Sequence, residues 1–207
     1  IEVDIGCGRG RFLLNRAARY PGTAFLGIDR LLRRLRKIDK RIRRRGLENV
    51  RLLRIEASYA VRHLLPAGSV RTFYVFFPDP WPKRRHHRRR LFNPAFLDGL
   101  HRALTPGGSV HFSTDHLPYF EQVVDLFRND PRYGRTAPLQ RSEEESTAFE
   151  RQFTLSGASI GRASFRKLQS AGAGSRQADE KHVGYDQLGV AEVVLDNPVG
   201  QQRQQRK

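Results

Sequence analysis

Apolar segments alternate with charged ones along most of the chain, and each segment carries its own period. Ile1 to Ile5 reads as a core strand that ends in the loop Gly6-Cys7-Gly8-Arg9-Gly10. Phe12, Leu13, Leu14 and Ala17 follow at helical spacing, and Pro21-Gly22 closes that helix. Ala24 to Ile28 is a second strand, closed by Asp29. A long basic helix is predicted from about Leu31 to Arg45, with Gly46 as its stop. Val50 to Ile55 is a third strand, followed by Glu56 and a short helix over roughly Tyr59 to Leu65. Val70 to Phe77, aromatic and β-branched throughout, is the fourth. It stops at Pro78-Asp79-Pro80-Trp81-Pro82. Asn93-Pro94 opens another helix, with Pro in its first turn. Pro106-Gly107-Gly108 is a tight turn into the strand Ser109 to Ser113, and Thr114-Asp115 leads into a helix reaching about Arg128.

Strands alternating with helices imply parallel βαβ units and a doubly wound sheet. Ligands of such sheets bind at the carboxyl ends of the strands. The residues at those ends are Gly6 to Gly10, Asp29, Glu56, Asp79 and Asp115. Chance places one or two acids there; a row of them points to a site.

From about Ser170 the chain turns to Gly, Ser, Gln and scattered charges, ending in the basic run Gln201 to Lys207. One folded domain over 1–168 and a poorly ordered basic tail over 169–207 are expected, with a short strand near Val190 to Leu195. The chain begins at Ile1, already in a core strand, and has no methionine, so an earlier segment is expected to be missing.

The formal net charge is +17, from 38 Lys+Arg against 21 Asp+Glu, which calls for a polyanionic partner. Nucleic acid fits, because neutralised phosphates release counterions. An acidic membrane is the alternative, but the chain lacks the run of about 18 apolar residues that a spanning helix needs. Nothing resembles a secretory signal. The single Cys7 excludes an internal disulfide, which suits a reducing cytoplasm, and excludes a multi-cysteine zinc site. Either a monomer or a homodimer is compatible with the sequence.

Asp4-Ile-Gly-Cys-Gly-Arg-Gly10 follows a strand and opens a helix, where glycines let the backbone pass close to a ligand. A dinucleotide fold would use the spacing G-x-G-x-x-G with pyrophosphate on the helix N-terminus. Here the spacing is G-x-G-x-G, with an acid two residues before the first glycine. That arrangement resembles the first motif of Rossmann-like methyltransferases, whose cofactor, S-adenosylmethionine, has no phosphate and carries cationic sulfonium and ammonium groups. Asp29 can then accept from both ribose hydroxyls, and Glu56 borders the adenine. A bare strand-to-helix turn without a ligand is the plain alternative.

In Phe76-Phe-Pro-Asp-Pro-Trp-Pro-Lys83 a carboxylate sits between two prolines on a stiff backbone. Asp79 can accept from the Watson–Crick edge of an extruded base, and Lys83 can hold a phosphate or the base's acceptor edge. Trp81 stacks on a base or is structural. Arg84 to Arg90, with His86 and His87, reads as contact with an RNA backbone, against a solvated loop. The two histidines lack further ligands for a metal.

Phe77-Pro-Asp-Pro-Trp-Pro-Lys-Arg-Arg-His-His-Arg-Arg-Arg90 resembles the signature of the tRNA (guanine(46)-N(7))-methyltransferase family. So do Ser113-Thr-Asp115 and Thr147-Ala-Phe-Glu150, the latter followed by Gly157, Ile160 and Phe165 on a last strand. The resemblance implies a Rossmann-like class I methyltransferase fold: a doubly wound, mostly parallel seven-stranded sheet with helices on both faces and its last strand antiparallel. It implies S-adenosylmethionine bound by Asp4, Gly6, Gly8, Gly10, Asp29, Glu56 and Asp79, with Asp79 also catalytic. It assigns the tRNA substrate to Lys83, Asp115, Thr147, Ala148, Phe149 and Glu150. The family usually carries Glu where this chain has Asp4 and Asp29, and often Asp in place of Glu56. These swaps keep charge and shift it by a methylene.

Guanine N7 carries an exposed lone pair and needs no general base, so the expected chemistry is mainly positioning. N7 is hard to reach in A-form RNA, so the target belongs in a loop, as the family's tRNA variable loop does. Two alternatives stand beside this. One is an amino-methyltransferase, to whose Asp/Asn-Pro-Pro-aromatic motif Asp79-Pro80-Trp81 is distantly similar. The other is a non-catalytic RNA-binding protein on the same fold.

Overall fold

The computed structural model describes residues 1–155, 157 and 159–169. The expected Val190 to Leu195 strand and the tail from 170 lie outside the described residues. Seven strands form one sheet in the order β3-β2-β1-β4-β5-β7-β6. They are β1 (Glu2–Ile5), β2 (Phe25–Asp29), β3 (Val50–Arg54), β4 (Val70–Phe76), β5 (Leu104–Thr114), β6 (Tyr133–Thr136) and β7 (Gly161–Lys167). β1 to β5 pair in parallel, whereas β7 runs antiparallel to both β5 and β6. The chain order reverses between β1 and β4, which makes the gap above those two strands the switch point of the sheet.

The parallel register decides what each face buries. Val3 and Ile5 pair with Phe73 and Val75 and join Ile28, Val110 and Phe112 in one core. Over that face lie α3 (Ala57–Tyr59) with a following π turn at Ala60–Leu64, α4 (Pro94–Ala103) and α5 (Leu117–Arg128). The opposite face is covered by α1 (Arg11–Arg19) and α2 (Leu32–Arg45). There Leu13, Leu14, Ala17, Leu35, Ile38 and Ile42 pack on Phe25, Val50 and Leu52 in a second core.

Helix boundaries follow local chemistry. Asn93 Oδ1 accepts from Phe96 N at 3.0 Å with Pro94 at N1, as the sequence predicts. Gly46 closes α2 in the left-handed region, its N–H donating to Arg43 and Ile42 carbonyls. Pro106-Gly107-Gly108, expected as a tight turn before a strand at Ser109, instead lies inside β5, which already starts at Leu104. Leu104 pairs with Val70 and Ser109 with Thr72, so the residues between them bulge out of an otherwise continuous β5.

What the sequence did not foresee is the path from β6 to β7. Residues 137–147 run as a strap from the sheet edge across β7 and β4 to α1. Leu139 N donates to Ser164 Oγ on β7 at 3.1 Å, the Arg141 guanidinium lies 4.1 Å from the Phe76 ring centroid, and Glu145 meets Arg16 of α1 at 3.3 Å. The chain returns through α6 (Ala148–Leu155) to β7. Beneath the strap the sheet face is polar: Tyr74 OH donates to Glu2 Oε2 at 2.6 Å, and His111 lies 2.7 Å from Ser164 Oγ. Among the described residues no helix is long and apolar enough to cross a membrane.

Two left-handed glycines separate backbone strain from packing. At Gly46, φ 62°, an added Cβ meets nothing within 4 Å; at Gly10, φ 68°, it would lie 2.8 Å from Ile38 Cγ1. Gly46→Ala is expected to cost about 1–2 kcal/mol from conformation alone. Gly10→Ala should cost about 1–3 kcal/mol more for overpacking. Urea midpoints at unchanged slope measure both, and equal losses would remove Ile38 from the account.

Candidate functional site

The loop after β1 turns the chain through left-handed residues at Gly6, Gly8 and Gly10, with φ of 71°, 56° and 68°. Cys7 N donates to Ile28 O at 3.0 Å and Gly10 N to Cys7 O at 2.8 Å, tying the loop to β2 and starting α1. Asp29, buried at the end of β2, fixes the other side. Its Oδ2 accepts from Gly8 N at 3.0 Å, its Oδ1 accepts from Leu31 N at 2.8 Å, and Arg34 Nη1 lies 3.6 Å away. A carboxylate has about four lone-pair positions, so these contacts leave acceptor capacity on both oxygens. Space above Gly6 is open, since an added Cβ there meets nothing within 4 Å.

Asp4 lies on β1 two residues before Gly6. It is 5% exposed, and no described residue gives its carboxyl a hydrogen bond or an ion pair. Burial pushes its pKa up to about 7, against the lowering charge of Arg141, while Asp29 adds to the rise. The same burial, with the charges of Asp4 and Asp29, pushes the Cys7 thiol well up, so Cys7 is an inert core group.

Glu56 takes a structural part. It stands exposed after β3 and caps α3, accepting from Ser58 N at 2.9 Å and Tyr59 N at 2.7 Å. Its oxygens therefore face the first turn of α3.

Asp79 is held exposed on a loop bent at both shoulders: Phe77 has φ 53° and Trp81 φ 44°, both rare for residues with a Cβ. Three contacts hold that strain. Phe77 N donates to Ser113 O at 2.8 Å, Arg90 Nε donates to Pro80 O at 2.8 Å, and Arg90 Nη1 bonds Gln122 of α5. The Arg90 guanidinium also lies 4.9 Å from the Tyr119 ring centroid. Burial lifts the Tyr119 phenol to about 12, and the nearby Asp79 charge adds to the rise. Arg90, read in the sequence as an RNA contact, is instead 6% exposed and belongs to the loop's support. A charge run of seven hides one inward residue, and only the register of the 3₁₀ turn at Arg84–Arg89 shows which. Trp81 is half-buried, with His86 at its edge and Arg89 5.0 Å from its ring centroid. Lys83 and Asp115 lie at the rim, exposed and half-buried respectively.

The run Thr147 to Glu150 starts α6. Thr147 Oγ1 accepts from Glu150 N at 3.0 Å, Ala148 is half-buried, and Phe149, half exposed, reaches the Phe77 ring at 6.3 Å. Glu150 is buried. Its Oε1 accepts from Arg141 Nη2 at 2.8 Å and Arg162 Nη2 at 2.9 Å, while its Oε2 has no partner among the described residues. The structure thus brings together Asp4, the three glycines and Asp29, and joins the Asp79 loop to the 147–150 run through Phe77. Among the described residues no hydrogen bond ties Glu56, Lys83 or Asp115 to these. Sequence reasoning missed Arg141, Arg162 and Glu145, which carry no local motif. Among the described residues no group of three or more His, Cys, Asp or Glu is placed to hold a metal.

Residues 1–163 match the sequence model of a family described as "Putative methyltransferase". The chain is 41% identical over 134 residues to the tRNA (guanine-N(7)-)-methyltransferase of Halorhodospira halophila, covering 65% of this chain and 58% of that protein. It is 34% identical over 174 residues to the enzyme of the same name from Alkalilimnicola ehrlichii, covering 82% and 73%. The chain thus spans between just over half and three quarters of these two relatives. Among solved structures, the fold is similar to the antibiotic-resistance methyltransferase Kmr, with TM-score 0.58, 18% identity and coverage of 82% and 87%. It is also similar to the N-methyltransferase NodS of Bradyrhizobium japonicum in complex with S-adenosyl-L-homocysteine, with TM-score 0.54, 15% identity and coverage of 81% and 78%.

The raised Asp4 pKa has a signed consequence. Between about pH 4 and 7 the unfolded chain ionises this carboxyl while the folded chain keeps it protonated. The folded state then binds more protons, so stability falls as pH rises through that window and is lowest above it. Asp4→Asn removes this term. Its melting temperature should gain on the unmutated chain as pH goes from 5 to 8, in a thermal melt series. A constant difference between the two curves would mean that Asp4 is ionised throughout.

Proposed function

Starting from the membership of this chain in the tRNA (guanine-N(7)-)-methyltransferase family, we propose that it transfers a methyl group from S-adenosylmethionine to N7 of a guanine in the variable loop of tRNA. The observation that carries this is Asp4: a buried carboxyl with no hydrogen bond among the described residues, two residues before Gly6, where the space beside the backbone is open. An acid in that position gains from a cation and would repel the pyrophosphate of a dinucleotide. The fit to the methyl donor therefore rests on charge sign as well as on the glycine spacing.

Asp4, Gly6, Gly8, Gly10 and Asp29 hold the donor, with Glu56 and Asp79 at its borders. The donor's sulfonium supplies an electrophilic methyl group. The protein's own task is to bring N7 in line with it. N7 offers its lone pair unaided, so no residue needs to remove a proton before attack. Asp79, on its stiffened loop, accepts from the Watson–Crick edge of the guanine and fixes its orientation. Glu150 offers a second acceptor through its unpaired Oε2. Both carboxylates favour the positive charge that grows on the ring as N7 is methylated. Lys83 and Asp115 at the rim, with Thr147, Ala148 and Phe149, complete the substrate side.

The rest of the surface suits RNA. Arg84, Arg85, Arg88 and Arg89 stand exposed beside Lys83. α2 carries exposed Arg33, Arg36, Lys37, Lys40 and Arg44, none with a described ion-pair partner. Its apolar side, Leu35, Ile38 and Ile42, is consumed by the core, so α2 has no free face to insert into a membrane. A cationic surface of this kind follows phosphates, and the reaction belongs with tRNA in the cytoplasm.

The chain incubated with unmodified tRNA and methyl-labelled donor is expected to yield N7-methylguanosine on nucleoside analysis. N6-methyladenosine would instead favour the amino-methyltransferase reading, and no label in RNA would leave an RNA-binding protein. Asp79→Ala should lower kcat/KM by about 100-fold or more without changing the thermal melt. Unchanged turnover in that variant would remove Asp79 from the chemistry.

A further inference from the structure

Arg141 is among the most deeply placed cations of the molecule. Its side chain is 6% exposed, although it comes from the strap and not from a strand or helix. The strap is anchored on both sides of it. Beyond it, Ser142 and Glu145 form a capping box, Glu145 pairs with Arg16 at 3.3 Å and Arg19 at 3.7 Å, and Arg11 Nε donates to Ser146 O at 3.1 Å. Before it, Leu139 is bonded to Ser164. Arg141 therefore enters the fold from above, its guanidinium 4.1 Å from the Phe76 ring centroid and 5.9 Å from that of Phe12. Phe76 ends β4, the strand beside Asp4 of β1. One terminal nitrogen, Nη2, donates to Glu150 Oε1 at 2.8 Å; the other, Nη1, is buried with no partner among the described residues.

Two groups of opposite sign thus come from different elements to the ends of neighbouring strands: the buried carboxyl of Asp4 near the end of β1, with no hydrogen bond among the described residues, and the guanidinium of Arg141 over Phe76 at the end of β4, with Nη1 unpaired. They are near enough for the Arg141 charge to act on Asp4, yet no ion pair within 4 Å joins them. An unpaired buried donor costs about 1–3 kcal/mol, so Nη1 has reason to await an acceptor. A lone anion, such as an RNA phosphate, would satisfy Arg141 and leave Asp4 without a cation. A group carrying an ammonium and a carboxylate on one carbon satisfies both.

We propose that Arg141 and Asp4 form a clamp for an α-amino-acid head, with Arg141 Nη1 donating to the carboxylate and Asp4 accepting from the ammonium. This rests on the methyl-donor reading above, since the donor ends in such a head. The same Arg141 holds Glu150 through Nη2. Filling the donor site therefore fixes the guanidinium that also orients a substrate-side carboxylate, and Arg141 is a positioning residue for the guanine as well as a ligand for the donor.

The test is calorimetric and needs no turnover. The chain is titrated with S-adenosylhomocysteine and with its decarboxylated analogue, S-adenosyl-3-thiopropylamine, which keeps the ammonium. The unmutated chain should bind the decarboxylated compound about 10–100-fold more weakly, the value of a charge-assisted pair. In Arg141→Gln that ratio should collapse to within about threefold, with Arg141→Lys between. A ratio near one in the unmutated chain overturns the clamp whether or not the variant folds. So does a variant that keeps the full ratio, or one that loses tRNA affinity while S-adenosylhomocysteine affinity stays unchanged, which would give Nη1 to a phosphate. Binding of neither ligand by the unmutated chain would overturn the methyl-donor reading itself, and the clamp with it.

Discussion

A carboxyl group with no hydrogen-bond partner among the described residues, buried near the end of β1, is the feature on which the rest turns. Asp4 is 5% exposed, and burial, helped by the Asp29 charge and opposed by that of Arg141, raises its pKa to about 7. A core is not improved by such a residue. An ionised carboxylate in an apolar setting costs several kcal/mol unless a cation meets it. The surrounding fold is arranged to keep it so. Parallel pairing puts Gly27 on one side of Asp4 and Tyr74 on the other. Neither supplies a donor, since the Tyr74 hydroxyl is committed to Glu2. Asp29, whose charge adds to the rise of the Asp4 pKa, accepts from Gly8 N and Leu31 N and so ties the glycine loop to the end of β2.

The strap completes this arrangement from the other side. It lays a polar layer over β1, β4, β5 and β7 that stays largely uncharged wherever no counter-charge is present. Burial, and then the Arg16 charge, push His111 down to about 4, so it stacks on Tyr74 as a neutral ring. The charged members are paired: Glu2 with Arg71, Glu145 with Arg16 and Arg19, and Glu150 with Arg141 and Arg162. What remains unpaired is therefore informative. Arg141 Nη1 and Glu150 Oε2 are buried without a partner among the described residues, on two side chains that pair with each other beside Phe76 of β4, and Asp4 lies on β1, the strand next to it. The loop carrying Asp79, with its left-handed Phe77 and Trp81, is braced by Arg90, a side chain that the solvent barely reaches.

Local signals made much of this legible before any coordinates. The five parallel strands, the glycine loop and the basic helix with its Gly46 stop follow from period and breakers within ten or fifteen residues of one another. The acids at strand ends were equally readable, because βαβ topology assigns one edge of the sheet to ligands. β6 was not, since Tyr133–Thr136 is four residues long and gains its place only by pairing with β7, about thirty positions later. The strap was not either: its meaning lies in contacts between residues 141–146 and α1, over 120 positions earlier. For the same reason Arg90 read as part of an exposed charge run and Arg141 as nothing in particular. Glu56 sits where a strand-end acid should, yet it caps α3, a role that short-range hydrogen bonding decides.

The central claim is that the unpaired acid at the switch point exists to meet the cationic end of a methyl donor. A crystal structure of this chain grown with S-adenosylhomocysteine tests it most directly. The account predicts ligand density over Gly6, between the glycine loop and the strap, with the ligand's ammonium within hydrogen-bonding distance of Asp4. Density elsewhere on the molecule, or an ordered ligand whose ammonium lies away from Asp4, would contradict it.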